Sequence, residues 1–183
     1  VTSNYNGSQI SCFGSSDGSV TATPSGGTTP YGFAWSTTGT TQTLNGLAAG
    51  TYRVTTTDAN GCTATATVTL TQPAAVTATI NSGTVVNVNC FGQSTGSATV
   101  AGSGGTAPYT FLWANGTTTA TRTGLAAGQH CVTVSDANNC RNVACVTITQ
   151  PASALSGNIA ITSNYNGSQL TCFNSADATA TAN

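Results

Sequence analysis

The chain of 183 residues (18.0 kDa) carries only three Lys+Arg and four Asp+Glu, for a net charge of −1, where an ordinary soluble domain is about 25% charged. With three Arg and no Lys, no basic stripe can neutralise phosphates or anionic lipid headgroups, which sets aside nucleic acid and polybasic membrane binding. No apolar run approaches the ~18 residues of a spanning helix, no leader-like segment opens the sequence, and Thr, Ala, Gly and Ser make up 103 of the 183 residues, an alphabet that favours strands and turns over helix.

The chain repeats itself. Cys12-Phe13-Gly14 returns as Cys90-Phe91-Gly92, Pro30-Tyr31-Gly32-Phe33-Ala34-Trp35 as Pro108-Tyr109-Thr110-Phe111-Leu112-Trp113, and Asp58-Ala59-Asn60-Gly61-Cys62 as Asp136-Ala137-Asn138-Asn139-Cys140, all at an offset of 78. Between Cys12–Pro73 and Cys90–Pro151, 35 of 62 positions are identical without a gap. A third copy opens with Thr162–Gln169, which repeats Thr2–Gln9 at an offset of 160. The repeats therefore divide as 1–73 (repeat 1, its first strand truncated), 74–151 (repeat 2, complete) and 152–183 (the start of a truncated repeat 3). The expectation is a window cut from a longer tandem array.

Taken in chain order, the complete unit begins with an alternating strand over Ala75–Ile80, followed by a variable Asn/Ser/Gly segment up to Cys90. Ser97–Ala101 (Ser19–Thr23 in repeat 1) reads as the next strand, ended by Gly104-Gly105. Tyr109, Phe111 and Trp113 fall at a period of two, which puts the three rings on one face of a strand. Asn115-Gly116 turns, a Thr-rich strand follows, and Gly124–Gly128 turns again. Two last strands run from Gln129 to Ser135 and from Arg141 to Thr149. Six or seven short strands at this spacing predict an all-β fold of tandem immunoglobulin-like β-sandwich repeats of about 80 residues.

The last hairpin can be registered. Asp-Ala-Asn-Gly fits a type I turn with Gly61 left-handed, and Asn139 takes that place in repeat 2. Facing residues then sum to 120 in repeat 1 and 276 in repeat 2, so Val54 faces Ala66 and Tyr52 faces Val68, inward, with Arg53 and Thr67 outward. The same register sets Cys131 opposite Cys145 on the outer face, within disulfide reach. Cys62 and Cys140 have inward parity, and the pairs Cys12–Cys62 and Cys90–Cys140 are expected to bridge across the sandwich, with Cys172 left unpaired by truncation. Such a framework places the chain in an oxidising, extracellular setting.

Side chains that could carry chemistry are few. His130 is the one histidine and replaces Tyr52 on the inward side of a strand, which reads as a satisfied structural residue. Asp17 and Asp177, with carboxylates of the Asp58 kind, are the candidates for calcium. Repeat 2 has Thr95 in that position, and four Asp cannot build multi-carboxylate cages, so no cofactor or metal is expected and the aspartates read as turn caps. The aromatic stripes Tyr31/Phe33/Trp35 and Tyr109/Phe111/Trp113 could stack on sugars, but core packing is the favoured reading. Asn6-Gly7-Ser8, Asn115-Gly116-Thr117 and Asn166-Gly167-Ser168 match glycosylation acceptors and, equally, hairpin turns. No catalytic constellation is present, so the chain does not read as an enzyme.

The joint set Cys-Phe-Gly-x-Ser-x-Gly-Ser, Gly-Gly-Thr-x-Pro-Tyr-x-Phe-x-Trp, Gly-Leu-Ala-Ala-Gly, Val-Thr-x-x-Asp-Ala-Asn-x-Cys and Thr-x-Thr-Gln-Pro resembles the SprB-repeat family, over both full copies and the start of the third. The resemblance implies giant cell-surface adhesins of gliding Bacteroidetes, exported through the outer membrane by the type 9 secretion system and moved by an envelope motor. The Cys131/Cys145 pair and His130 depart from the pattern. On this reading the chain is a stalk or spacer whose partners are neighbouring repeats and the gliding and secretion machinery. In the alternative, the repeats bind polysaccharide or an external surface through the Ser3–Ser8 and Ser163–Ser168 loops, with Tyr5 and Tyr165 at their tips.

Overall fold

The computed structural model describes residues 1–162 and 180–182. Cys172, Tyr165 and Asp177 lie outside the described residues. Repeat 1 contributes β1 (Gly18–Thr21), β2 (Gly32–Trp35), β3 (Thr43–Leu47), β4 (Gly50–Thr57) and β5 (Thr63–Leu70). Repeat 2 contributes β6 (Thr77–Ile80), β7 (Gly96–Ser103), β8 (Thr110–Trp113), β9 (Thr121–Leu125), β10 (Gly128–Ser135) and β11 (Arg141–Ile148), and β12 (Ile159–Ile161) pairs with β13 (Ala180–Ala182).

Each repeat is an antiparallel two-sheet sandwich of immunoglobulin-like arrangement. In repeat 2 one sheet runs β6-β7-β9 and the other β8-β10-β11; in repeat 1 the matching sheets are β1-β3 and β2-β4-β5. Period-two alternation sends one set of side chains between the sheets. In repeat 2 Val76, Val100, Trp113, Leu125, Val134 and Ile148 are buried there, and in repeat 1 Ile10, Val20, Trp35, Leu47, Val54 and Leu70. Each indole N–H donates to a backbone carbonyl, Trp35 to Thr41 at 2.8 Å and Trp113 to Thr119 at 2.9 Å, so the largest core side chains leave no polar atom unpaired. Threonines cover the outward faces and pair across strands, Thr51 with Thr69 (3.1 Å), Thr99 with Thr121 (2.9 Å) and Thr21 with Thr43 (3.0 Å).

The hairpins have the register expected from sequence: Tyr52 faces Val68, Val54 faces Ala66, and Cys131 faces Cys145. Gly61 (φ 83°) and Asn139 (φ 64°) both take the left-handed conformation of the turn. The aspartate that opens each turn organises it. Asp136 Oδ1 accepts from the amides of Asn138 (2.9 Å) and Cys140 (2.8 Å), while Oδ2 accepts from Thr106 N (2.8 Å) in the neighbouring loop. Asp58 does the same for Asn60 (2.9 Å), Cys62 (2.8 Å) and Thr28 (3.0 Å). The turn between β2 and β3 is less well matched. Thr38 sits at φ 66° where repeat 2 has Gly116 at φ 89°, and a β-branched residue is strained in that region.

Two outcomes follow from these turns. Thr38→Gly should stabilise repeat 1 by about 1 kcal/mol, read as a raised midpoint in denaturant with unchanged m-value. The amides of Thr28, Cys62 and Asn60 hold the Asp58 carboxyl below its ordinary value of 3.8. A depressed folded-state pKa stabilises the turn fully above that ordinary value, and the stabilisation is lost as pH falls through the folded value. Amide exchange at Asn60 and Cys62 should therefore be flat from neutral pH to about 4, once corrected for intrinsic rates, and accelerate only below it.

Candidate functional site

The side chains with covalent chemistry gather where repeat 1 meets repeat 2. On the repeat 2 side, the Asp136 turn presents Cys140 at the start of β11. On the repeat 1 side, Cys12 lies in the loop that closes on the far end of β5. Gln9 N and Ile10 N both donate to Thr71 O at 3.2 Å, and Gly14 N donates to Gln72 Oε1 at 2.8 Å. Cys12 and Cys140 are bonded, with Cα atoms 5.6 Å apart and a separation of 128 positions in sequence. Asn138 of the same turn donates to Ser11 O (3.1 Å) and to its own repeat's Thr106 Oγ1 (3.3 Å). Asn6 Nδ2 donates to Asn138 Oδ1 at 2.9 Å.

This geometry overturns the pairs Cys12–Cys62 and Cys90–Cys140. The Cys12 loop is tied to the last residues of β5, and Cys62 immediately precedes its first. Eight residues of strand separate the two ends by roughly 27 Å, far beyond disulfide reach. The inward parity of Cys62 and Cys140 gave the face of the sheet but not the end of the module. Cys62 and Cys90 are free thiols, both exposed. Cys131 and Cys145 are bridged across β10 and β11, with Cα atoms 4.0 Å apart.

The remaining candidate residues disperse. Tyr52 donates its hydroxyl to Ala48 O (2.8 Å), and His130 in the equivalent place meets Ala126 O (2.9 Å) through Nε2. A carbonyl only accepts, so His130 carries its proton on Nε2 and does the structural work of the tyrosine it replaces. Burial raises the Asp17 carboxyl, but the Ser11 hydroxyl and amide together with its own amide outweigh that and hold it below its ordinary value, with Ser11 N donating at 3.1 Å. Among the described residues no three His, Cys, Asp or Glu side chains gather into a metal-binding group. The tyrosines of the aromatic stripes donate back to glycine carbonyls, Tyr31 to Gly26 (2.5 Å) and Tyr109 to Gly104 (2.6 Å). Arg122 lies over the Trp113 ring at 5.8 Å. Tyr5 is half-buried, and its loop closes on itself through Tyr5 N to Ser8 O at 2.7 Å. The Ser3–Ser8 loop, the candidate binding loop, leans on repeat 2 through Asn6.

A second feature lies within repeat 1. Repeat 1 has a groove of about 480 Å³ lined by Val1, Val20, Ala22, Trp35, Val54 and Val68. The equivalent space in repeat 2 is filled by β6, whose Ala78 and Ile80 pack against the core around Val76. No helix among the described residues is long and apolar enough to cross a membrane.

No curated protein matches the chain. Among solved structures it is similar to the three N-terminal domains of the outer capsid protein Hoc of bacteriophage RB49, with a TM-score of 0.51 and 18% identity. That match covers 85% of this chain and 59% of that one, and it concerns the fold alone. The amphioxus IgVJ-C2 molecule aligns at a TM-score of 0.34 and 14% identity, over 74% of this chain and 97% of that one. Fibronectin(III)-like modules of Clostridium thermocellum CbhA align at 0.28 and 15%, over 74% and 87%. The family model of the SprB repeat matches residues 4–40 and again 82–118, separated by the same 78 residues as the motifs. Over those two segments the chain is similar to the SprB repeat.

Proposed function

We propose that the chain is a stalk segment of a large cell-surface adhesin, which holds a distal adhesive region away from the cell and transmits pulling force. By family resemblance, that adhesin is exported by the type 9 system and serves gliding motility. The observation that carries this reading is the covalent junction. Cys12 of repeat 1 is bonded to Cys140 of repeat 2, so the two modules are joined twice, once through the Gln72-Pro73 linker and once through sulfur. A module that only displays a ligand-binding face has no need of the second link. A spacer under tension does, because the bond stops neighbouring modules from swinging apart. The shortage of charge fits the same role: without Lys and with three Arg, the chain offers trypsin-like proteases few cleavage sites.

Single-molecule pulling on the full chain from its two ends tests this. With the bridge intact, the segment between Cys12 and Cys140, a separation of 128 positions, contributes no extension. Reduction should release roughly 420–460 Å of additional contour, and Cys12→Ser less than that, because the Cys131–Cys145 bridge still shields the segment it spans. Equal contour lengths in oxidised and reduced chains would count against a force-bearing junction.

A second reading, in which the repeats bind a glycan or surface directly, draws on one observation. Phe13 and Phe91, equivalent residues beside Cys12 and Cys90, are 60% and 46% exposed. Glycan-array binding by the full chain that is lost in a Phe13→Ser/Phe91→Ser variant or in Tyr5→Ala would make these repeats binding modules. Absence of binding in the unmutated chain is the outcome expected of a spacer.

A further inference from the structure

The joint between repeats 1 and 2 is bridged by an amide as well as by sulfur. Asn138 Nδ2 donates to Ser11 O (3.1 Å) and to Thr106 Oγ1 (3.3 Å), while its Oδ1 accepts from Asn6 Nδ2 (2.9 Å). A carbonyl can only accept, so the Ser11 contact fixes which way the amide faces, and Asn6 meets the other side with the matching donor. Ser11 immediately precedes Cys12, and Asn138 lies two residues before Cys140. The hydrogen bond therefore ties the backbone beside one sulfur to the turn that presents the other. Cys140 Sγ lies 3.3 Å from the same Ser11 oxygen.

Each half of this contact is held by bonds within its own repeat. In repeat 2, Asn138 N and Cys140 N donate to Asp136 Oδ1 at 2.9 and 2.8 Å, and Asp136 is buried. The Asp58 turn gives Asn60 the same pose, its Nδ2 donating to Thr28 Oγ1 at 3.0 Å within repeat 1. The pose is therefore a property of the turn and not of the contact across the joint. In repeat 1, Ser11 N donates to Asp17 Oδ1 (3.1 Å) and Ser15 N to Cys12 O (3.1 Å), while Gly14 N on Gln72 Oε1 fastens the loop to the end of β5. Groups held this way lose little freedom when they meet, which is what makes a small contact hold.

We propose that Asn138 docks repeat 2 on repeat 1, and that the Cys12–Cys140 bond is a latch that closes on a joint already made. Reduction then leaves the repeats docked with the two thiols opposed, and the bond re-forms on re-oxidation. Asn138 is a positioning residue, acting on the sulfurs through the Ser11 peptide and the Asp136 turn. The closing step is thiol–disulfide exchange with a low-molecular-weight disulfide such as oxidised glutathione. One cysteine thiolate attacks a glutathione sulfur and expels glutathione thiolate. The other thiolate attacks the protein sulfur of the mixed disulfide and expels the second. Two protein thiols are oxidised, and one glutathione disulfide is reduced to two glutathiones. Repeats swinging on a flexible linker would offer the thiols to each other at an effective concentration on the order of millimolar. A docked pair exceeds this because orientation is fixed as well as distance. The inference does not depend on the stalk reading, since the latch closes whatever load or ligand the chain carries.

The test is the equilibrium of the full chain with reduced and oxidised glutathione, in a Cys62→Ser/Cys90→Ser/Cys172→Ser background, each disulfide being read by alkylation and peptide mapping. Asn138→Asp sets a carboxylate against the Ser11 carbonyl and is expected to lower the equilibrium constant of the Cys12–Cys140 bond by about tenfold or more. Asn6→Ala removes one hydrogen bond and should lower it by about threefold. The Cys131–Cys145 constant, on the same repeat, should stay within about twofold in both variants. An equal fall in both constants would make Asn138 a stabiliser of repeat 2 alone and overturn the proposal, as would an unchanged Cys12–Cys140 constant in Asn138→Asp. A Cys12→Ser/Cys140→Ser chain supplies a second readout, since it has no bond to close. Its two repeats should still share one alignment tensor in residual dipolar couplings, and adding Asn138→Asp should give them two. Independently aligned repeats in that bond-free chain with Asn138 intact would overturn the docking.

Discussion

Cys12 and Cys140 stand at opposite faces of one junction, and most of what distinguishes this molecule from a string of independent sandwiches follows from their bond. A cross-link that closes a loop of 128 residues removes unfolded-state entropy worth about 5 kcal/mol on the loop-closure model. That is comparable to the whole net stability of a small domain, roughly 5–15 kcal/mol. The cores it supports are modest, built on valine, alanine, a few leucines and isoleucines, and one tryptophan per repeat. Because the bond joins two repeats, neither can unfold into a chain that is unconstrained by the other. Stability becomes a property of nearest neighbours, as in other repeat architectures, but here the coupling between them is covalent.

The shortage of charge is explained by what replaces it. Cross-strand threonine pairs cover the outward faces, so the strands are solvated by hydroxyls where other domains use Lys and Glu. Asp58 and Asp136 act as templates for backbone: each accepts three amides and fixes the turn that carries a cysteine, Cys62 in repeat 1 and the bonded Cys140 in repeat 2. A carboxylate in that role orders a tight turn without a large side chain. His130 shows how tolerant the corner is, since an imidazole N–H reaches Ala126 O, the equivalent of the Ala48 carbonyl that takes the Tyr52 hydroxyl.

Sequence reasoning reached the fold class, the repeat and the residue-by-residue register of both final hairpins, because turn chemistry and period-two alternation are local. The Cys131–Cys145 opposition followed from that register alone. The other cysteine pairs did not, and the reason is specific. Alternation tells which face a side chain takes, whereas the choice between Cys62 and Cys140 as partner of Cys12 depends on which end of β5 the Cys12 loop reaches. That is set by Ile10 on Thr71 and Gly14 on Gln72, contacts between residues 58 to 62 positions apart. No pattern in a single strand encodes them. The contact of the Ser3–Ser8 loop with repeat 2 is hidden for the same reason, since the partner of Asn6 belongs to the other repeat.

The placement of the cysteines also defines a direction and a route for force. In repeat 2, Cys140 immediately precedes β11, while the Cys90 loop is tied to the far end of that strand through Val88 N to Thr149 O (2.9 Å) and Gly92 N to Gln150 Oε1 (2.9 Å). A load that arrives through the Cys12–Cys140 bond and leaves beyond Thr149 therefore runs along β11. That strand is held laterally by β10 along its whole length, from Gly128–Ile148 to Ser135–Arg141. Load parallel to antiparallel strands shears all of these hydrogen bonds together, whereas load across them would open the bonds one after another. The Cys131–Cys145 bridge staples β10 to β11 near the middle of that path. Repeat 1 has Arg53 opposite Thr67 there and relies on hydrogen bonds alone, so the two repeats differ in how their last hairpin is fastened without any difference in fold.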